Sequence, residues 1–376
     1  MERPRYIAGL DGLRFLSITF VVLHHLFTFM TAFGFTAFHE QVLGLIGYYG
    51  IQFFFMGSGF LITYLLLTES ERRHRVDLKK FYSRRVLRIW PAYYLLISIV
   101  VLLLLHSEWW RIPGYTERYA PVAEDANKFY FFFVPHLEPF FHPTAPYVHH
   151  TYTIGIEEQF YLVWGLLFLW ARKYILHVFL FLVLTIPVLN AVHAWSHGHE
   201  GGSRVLGLFN NAVTYLQYSR FSTFAIGSLF GYAYFYQKPW INVFRRPTVQ
   251  LLVYAVLVAS IALRVELPFV QNEYISGLMA CFMLMASFRE NSLVNYEAPW
   301  LGALGRISYG IYLFHIIAIV LVCRLVAAIP QLDKNSYGTL ALLCVLTLGL
   351  STAFGWLSYH FFERFFLRLK RRLRTV

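Results

Sequence analysis

Ten stretches of about twenty predominantly apolar residues run along this chain. They lie near 7–33, 48–68, 89–106, 155–171, 174–192, 214–236, 247–264, 270–288, 307–329 and 338–359. A stretch of that length crosses a bilayer as one helix, because every backbone polar group must be paired inside the hydrocarbon. Composition agrees: of 376 residues 58% are hydrophobic and 14% charged, where a soluble chain carries about a quarter charged. The sequence predicts an all-α, polytopic integral membrane protein with about ten transmembrane helices and no separate soluble domain. The membrane unit is placed at 1–360 and a basic tail at 361–376.

The net charge of +12 invites a nucleic-acid reading, but its distribution excludes that partner. Segments on one side of the spans (1–6, 69–88, 172–173, 237–246, 289–306 and 360–376) hold 23 of the 32 lysines and arginines. The positive-inside rule then puts both termini in the cytoplasm, the lipid bilayer being the chain's partner. Asp11 and Arg14 interrupt the first apolar run, which reads as a retained span and not a cleaved signal. Cys281, Cys323 and Cys344 all fall in apolar spans and suggest neither disulfides nor a metal set. His193, His197 and His199 form a weak metal pattern without a matching carboxylate, so no metal is assigned. The longest polar connection, about 107–154, is expected outside as a lid or acceptor site.

Within the first span, Arg14 and His25 are eleven residues apart. Eleven steps of about 100° end about 20° past three full turns, so both project from one helix face, roughly 16 Å apart along the axis. Arg14 belongs near the membrane entrance and His25 near mid-depth. A cation that grips phosphate at the mouth, with a titratable base one pantetheine arm deeper, suits an enzyme using an acyl-CoA. The plainer alternative has Arg14 snorkelling to headgroups and His25 packed as a hydrogen-bonded core residue. Ionisable groups inside a span are nevertheless functional candidates by default.

Four segments combine into a pattern. The first is Gly9-Leu10-Asp11-Gly12-Leu13-Arg14-Phe15 running on to His24-His25. The second is Gly57-Ser58-Gly59, followed by the basic run Phe81 to Pro91 with Arg84, Arg85 and Arg88. The third is His150-Thr151-Tyr152-Thr153, continuing to Glu157-Glu158-Gln159-Phe160-Tyr161. The fourth is Ser308-Tyr309-Gly310-Ile311-Tyr312-Leu313-Phe314-His315, with Phe362-Glu363-Arg364 near the end. In this order and spacing the chain resembles the membrane-bound acyltransferase-3 family, whose members O-acylate sugars and other hydroxyl compounds. It departs where the family usually has an acid (Gln52), a Trp-Ser pair (Tyr152-Thr153) and an Asp (Ser222). It also ends about fifteen residues after its last span, so transfer is expected to be completed by the membrane unit or a partner.

The resemblance implies an acyl-CoA co-substrate, acetyl-CoA first, with no permanently bound cofactor. Arg85 and Arg88, neighbours on a helix face at the cytoplasmic surface, are candidate phosphate ligands beside Arg14. His25 is the candidate general base, with Glu157 or Glu158 holding its tautomer from the first turn of a helix capped by Thr153. Adjacent carboxylates point about 100° apart, so one of the two is expected to face the cavity. His150 could bind or deprotonate the acceptor, while His315, alone in its helix, reads more readily as structural. The acceptor class is a hydroxyl of a lipid-linked or cell-surface glycan, or alternatively a small molecule such as a macrolide. A rival of a different class is a proton-coupled transporter using Arg14, His25 and Glu157; internal repeat symmetry would favour it, and a groove lined by Arg14, Arg85 and Arg88 would favour the enzyme. Self-association into a homo-oligomer is compatible with all of these.

Overall fold

The computed structural model describes residues 7–36, 40–197 and 204–372. Every regular element among them is helical: α1 Leu10–Met30, α2 Glu40–Arg73, α3 Leu78–Leu102, α4 Thr116–Tyr119, α5 Ala123–Phe131, α6 Tyr152–Trp170, α7 Ile175–His197, α8 Arg204–Tyr218, α9 Phe221–Phe235, α10 Pro247–Ala262, α11 Gln271–Ser287, α12 Pro299–Ala327, α13 Tyr337–Leu357 and α14 Arg364–Arg372. Short 3₁₀ turns fill much of the connection between α3 and α6.

Six segments are long and apolar enough to cross a membrane: Leu10–Phe33, Gly44–Arg73, Leu78–His106, Arg172–Ser196, Pro299–Ala327 and Tyr337–Lys370. A seventh counts if Pro239–Arg245 and Pro247–Ala262, bent by 79°, form one span. The remaining places expected to span are helical but weaker, for local reasons. The helix α6 carries Glu157, Glu158 and Gln159, and α11 opens on Gln271-Asn272-Glu273. The stretch 214–236 is divided between α8 and α9 by Arg220, held at φ 55°, a left-handed conformation that a continuous helix does not allow. The basic segment expected as a tail is helical to Arg372: a π-turn over Ser358–Glu363 joins α13 to α14, which packs on α3.

Between α2 and α9 the backbones nearly touch. A Cβ on Gly59 would lie 2.2 Å from the Phe224 carbonyl oxygen, and one on Gly227 would lie 1.9 Å from that of Met56. Small residues permit this approach where apolar side chains have no water to escape from, leaving dispersion and packing to hold the helices. On its other side α2 packs against α1, and α1 against α12. That layer brings His25 of α1 opposite His315 of α12, although 290 residues separate them.

Candidate active site

Five histidines converge where α1, α12 and the 3₁₀ turn His149–Thr151 meet. The His25 ring centre lies 4.9 Å from that of His315, 5.3 Å from His149, 6.2 Å from His150 and 5.3 Å from His24. Both His25 and His315 are buried, and His25 Nδ1 sits 2.7 Å from His315 Nε2. On the far side of its ring, His315 Nδ1 is 2.5 Å from the Tyr312 carbonyl oxygen. A carbonyl only accepts, so His315 carries its proton on Nδ1 and offers a lone pair at Nε2. With both rings neutral, His25 Nδ1–H donates to that lone pair. His25 Nε2 is then the unprotonated nitrogen, the form required of a general base.

His150 completes the wall, its ring 4.7 Å from His315 and neither ring nitrogen in a well-formed hydrogen bond. It is 1% exposed, and burial together with the neighbouring His315 and His149 holds its imidazole well below its ordinary pKa. Its carbonyl accepts from Tyr312 Oη at 2.6 Å and Thr153 Oγ1 at 3.1 Å. Thr153 thus lies inside α6 instead of capping it, and Glu157 falls in the second turn.

The carboxylates do not reach the imidazoles. Glu157 accepts hydrogen bonds from Ser58 and Tyr161 and lines a cavity with Arg14, Arg85, Arg88 and Tyr309. Glu158 lies beside Trp90, with one buried oxygen unpaired. The partner that the sequence leads one to expect from α6 is supplied by His315 of α12. The three arginines do converge as expected: Arg14 is 3.8 Å from Asp11, and Arg85 is buried with its guanidinium over Phe81 and Tyr161 at 5.5 and 5.2 Å.

That cationic cavity has a volume of about 40 Å³, room for a water or two and not for a pantetheine arm. It is closed towards the histidines by Phe54, whose ring stacks on Tyr312 at 5.9 Å and 18°. Phe54 borders the arginine cavity and, with Tyr312 and Thr153, a smaller void beyond it. The order along the bundle is therefore arginines, aromatic pair, histidines.

Among the described residues no group of His, Cys, Asp and Glu is arranged to hold a metal ion. His193 is 3.1 Å from Asn210, and His199 lies outside the described residues.

The profile of a family described as an acyltransferase domain matches residues 7–356, nearly the whole chain. The chain belongs to the acyltransferase-3 family. It is 28% identical to YrhL of Bacillus subtilis, provisionally named a peptidoglycan O-acetyltransferase, over 96% of this chain and 55% of that one. It is 31% identical to the peptidoglycan O-acetyltransferase OatA of Listeria monocytogenes over 50% of this chain and 28% of that one. It is 30% identical to the O-acetyltransferase OatA of Staphylococcus aureus over 44% of this chain and 25% of that one. The chain therefore spans about half the length of the first relative and about a quarter of the other two. No solved structure shows significant similarity.

The departures from the acyltransferase-3 pattern have structural counterparts. Gln52, in place of an acid, is fully buried, accepts from Thr223 at 2.9 Å and donates to Asn272 at 2.6 Å. Thr153 keeps the hydroxyl of the usual serine and sets it 2.5 Å from Tyr312 Oη. Two residues escaped sequence reasoning: His149, whose signal was the tandem His149-His150, and Phe54, which no motif marks.

Proposed function

We propose that this chain is a membrane O-acetyltransferase that moves an acetyl group from acetyl-CoA to a hydroxyl of a cell-wall glycan. The observation that carries the reading is the hydrogen-bonded row Tyr312 carbonyl, His315, His25, which leaves His25 Nε2 free to take a proton. In the transfer, His25 Nε2 removes the proton of the acceptor hydroxyl as its oxygen attacks the thioester carbonyl. The tetrahedral intermediate collapses by breaking the C–S bond, and the departing CoA thiolate takes the proton back from His25. The positive charge carried by His25 meanwhile is shared through Nδ1–H with His315. Arg14, Arg85 and Arg88 hold the phosphates of CoA, each guanidinium offering paired donors.

In this reading α6, the α8–α9 pair, α10 and α11 complete ten crossings of a bacterial inner membrane, with both termini and the arginines on the cytoplasmic side. For the thioester to reach His25, Phe54 and Tyr312 must part and the arginine cavity widen around the pantetheine arm, while the CoA phosphates stay out of hydrocarbon, where they would be very costly. The glycan class is supported by the names of the peptidoglycan-modifying relatives.

The test is a proteoliposome holding the purified full chain, given acetyl-CoA labelled in the acetyl group and a β-1,4-linked N-acetylglucosamine oligosaccharide. Alkali-labile acetyl ester forming with wild-type protein and not with folded His25→Ala supports the proposal. Equal transfer by His25→Ala, or transfer to no glycan, overturns it.

A further inference from the structure

A cavity of about 430 Å³ opens between α7, α8, α9 and α11, within the range of small-ligand sites. Its walls are mainly side-chain amides and hydroxyls, and their orientations are fixed from behind. Asn272 Oδ1 takes three donors, Tyr48 Oη, Gln52 Nε2 and Arg220 Nη1, which assigns the amide and leaves Nδ2–H₂ for a ligand. Asn190 Nδ2 donates to the Phe269 carbonyl at 3.1 Å, which assigns that amide too. Asn190 is 8% exposed, and its buried Oδ1 has no partner. Gln217, also lining the cavity, makes no side-chain hydrogen bond.

The cavity thus presents a fixed donor, a fixed acceptor and a free amide that is both. Its one arginine donates one N–H to Asn272 and lies over Tyr48 at 5.6 Å, which fixes the guanidinium and leaves it further N–H donors for an oxygen-rich ligand. Such a set matches a ligand rich in hydroxyl and amide groups. An aromatic wall is also present: Tyr218 stacks on Tyr152 at 5.3 Å and 27°, and Phe140 meets Tyr218 edge-on at 5.4 Å. Tyr152 adjoins Thr153, which bonds Tyr312 and the His150 carbonyl, so one aromatic pair separates this cavity from the histidines.

We propose that the cavity bounded by Asn190, Gln217, Tyr218 and Asn272 is the acceptor subsite, holding an acetamido-sugar ring of the glycan. The inference rests on the glycan-acceptor reading above and adds where the glycan sits. Asn190 Oδ1 accepts from a sugar hydroxyl or amide, Asn272 Nδ2 donates to a ring or carbonyl oxygen, and Tyr218 supplies an apolar face.

The test uses the full chain in nanodiscs with a β-1,4-linked N-acetylglucosamine tetrasaccharide as probe. Its binding is followed by saturation-transfer NMR, and acetyl transfer to it by steady-state kinetics. Asn190→Leu and Gln217→Ala should each raise the KM for the tetrasaccharide about tenfold, the loss of one well-placed hydrogen bond. The KM for acetyl-CoA and the slow hydrolysis of acetyl-CoA without acceptor should stay unchanged. Gln217→Ala removes a side chain with no protein partner, so it remains informative if Asn190→Leu does not fold. A wild-type enzyme that acetylates the tetrasaccharide while both folded variants keep its KM within about twofold overturns the subsite and leaves the function standing. A chain that binds the tetrasaccharide in a Gln217-dependent way but never acetylates it overturns the function and with it the acceptor role, leaving only a sugar-binding cavity. Absence of both binding and transfer overturns both.

Discussion

His25 Nδ1 and His315 Nε2 face each other at 2.7 Å across the contact of α1 and α12, and the Tyr312 carbonyl behind His315 decides which of them donates. Replacing His315 by Ala removes the acceptor that keeps the His25 proton on Nδ1. The expected result is a fall in kcat of up to about 10⁴-fold, as when the partner that fixes a catalytic imidazole's tautomer is lost, with both KM values little changed. His315→Gln can still accept from His25 through its amide oxygen and should recover part of the loss, whereas His315→Leu should not. Equal activity of the Gln and Leu variants would show that His315 only packs. A pH–rate profile of each variant gives the independent readout, since a base that loses its tautomer also changes its midpoint.

Arg85→Ala and Arg88→Ala should raise the KM for acetyl-CoA and leave that for the acceptor near its wild-type value. Each lost phosphate contact is worth about 1.5–3 kcal/mol, or roughly 10–100-fold in KM. Cysteine accessibility of the C-terminal segment checks that orientation is unchanged. Unaltered donor KM with reversed orientation would reduce the two arginines to topology signals.

Glu157 lines the arginine cavity as a carboxylate among three guanidiniums, not as a partner of His25. Glu157→Gln removes a negative charge from the proposed phosphate site and should lower the donor KM by about two- to fivefold. The midpoint of the pH–rate profile should not move. A shifted midpoint would restore the carboxylate–imidazole pairing that the sequence suggests.

Glu138, in the connection between α3 and α6, is 1% exposed and accepts from the Tyr130 hydroxyl. Burial raises its pKa from the ordinary 4.5 to about 8. Over that window the folded form keeps a proton that the unfolded form has released, so stability falls as pH rises from 4.5 towards about 8. Hydrogen exchange over residues 123–140, corrected for intrinsic rate, should show less protection at the upper end of the window. Glu138→Gln should flatten that dependence. Protection that rises with pH would mean the carboxyl is ionised in the fold.

Much of this arrangement is legible in the sequence because it depends on local periodicity. Hydropathy finds the helices, and the eleven-residue spacing puts Arg14 and His25 on one face before any partner is known. Arg85 and Arg88 follow from the same arithmetic. What the sequence hides are pairings made by packing distant helices. His315 looks like a lone core histidine because its partner is 290 residues away, although its place three residues after Tyr312 is the signal that its ring can reach that carbonyl. Glu157 misleads for the complementary reason: its neighbours in space, Ser58 on α2 and Tyr161 one turn on, outcompete the imidazole it was expected to serve. The split at Arg220 is equally invisible, since nothing in an arginine announces a left-handed residue.

The stack of Phe54 on Tyr312 has a consequence for the cell's energy supply. In the orientation proposed above, a file of water joining the arginine cavity to the histidine row would conduct protons through the bilayer and dissipate the ion gradient. The nearly parallel, offset rings of Phe54 and Tyr312 put apolar surface in the way of that file. In the cross-membrane reading proposed above, the enzyme stays electrically sealed for as long as these two rings part the arginines from the histidines.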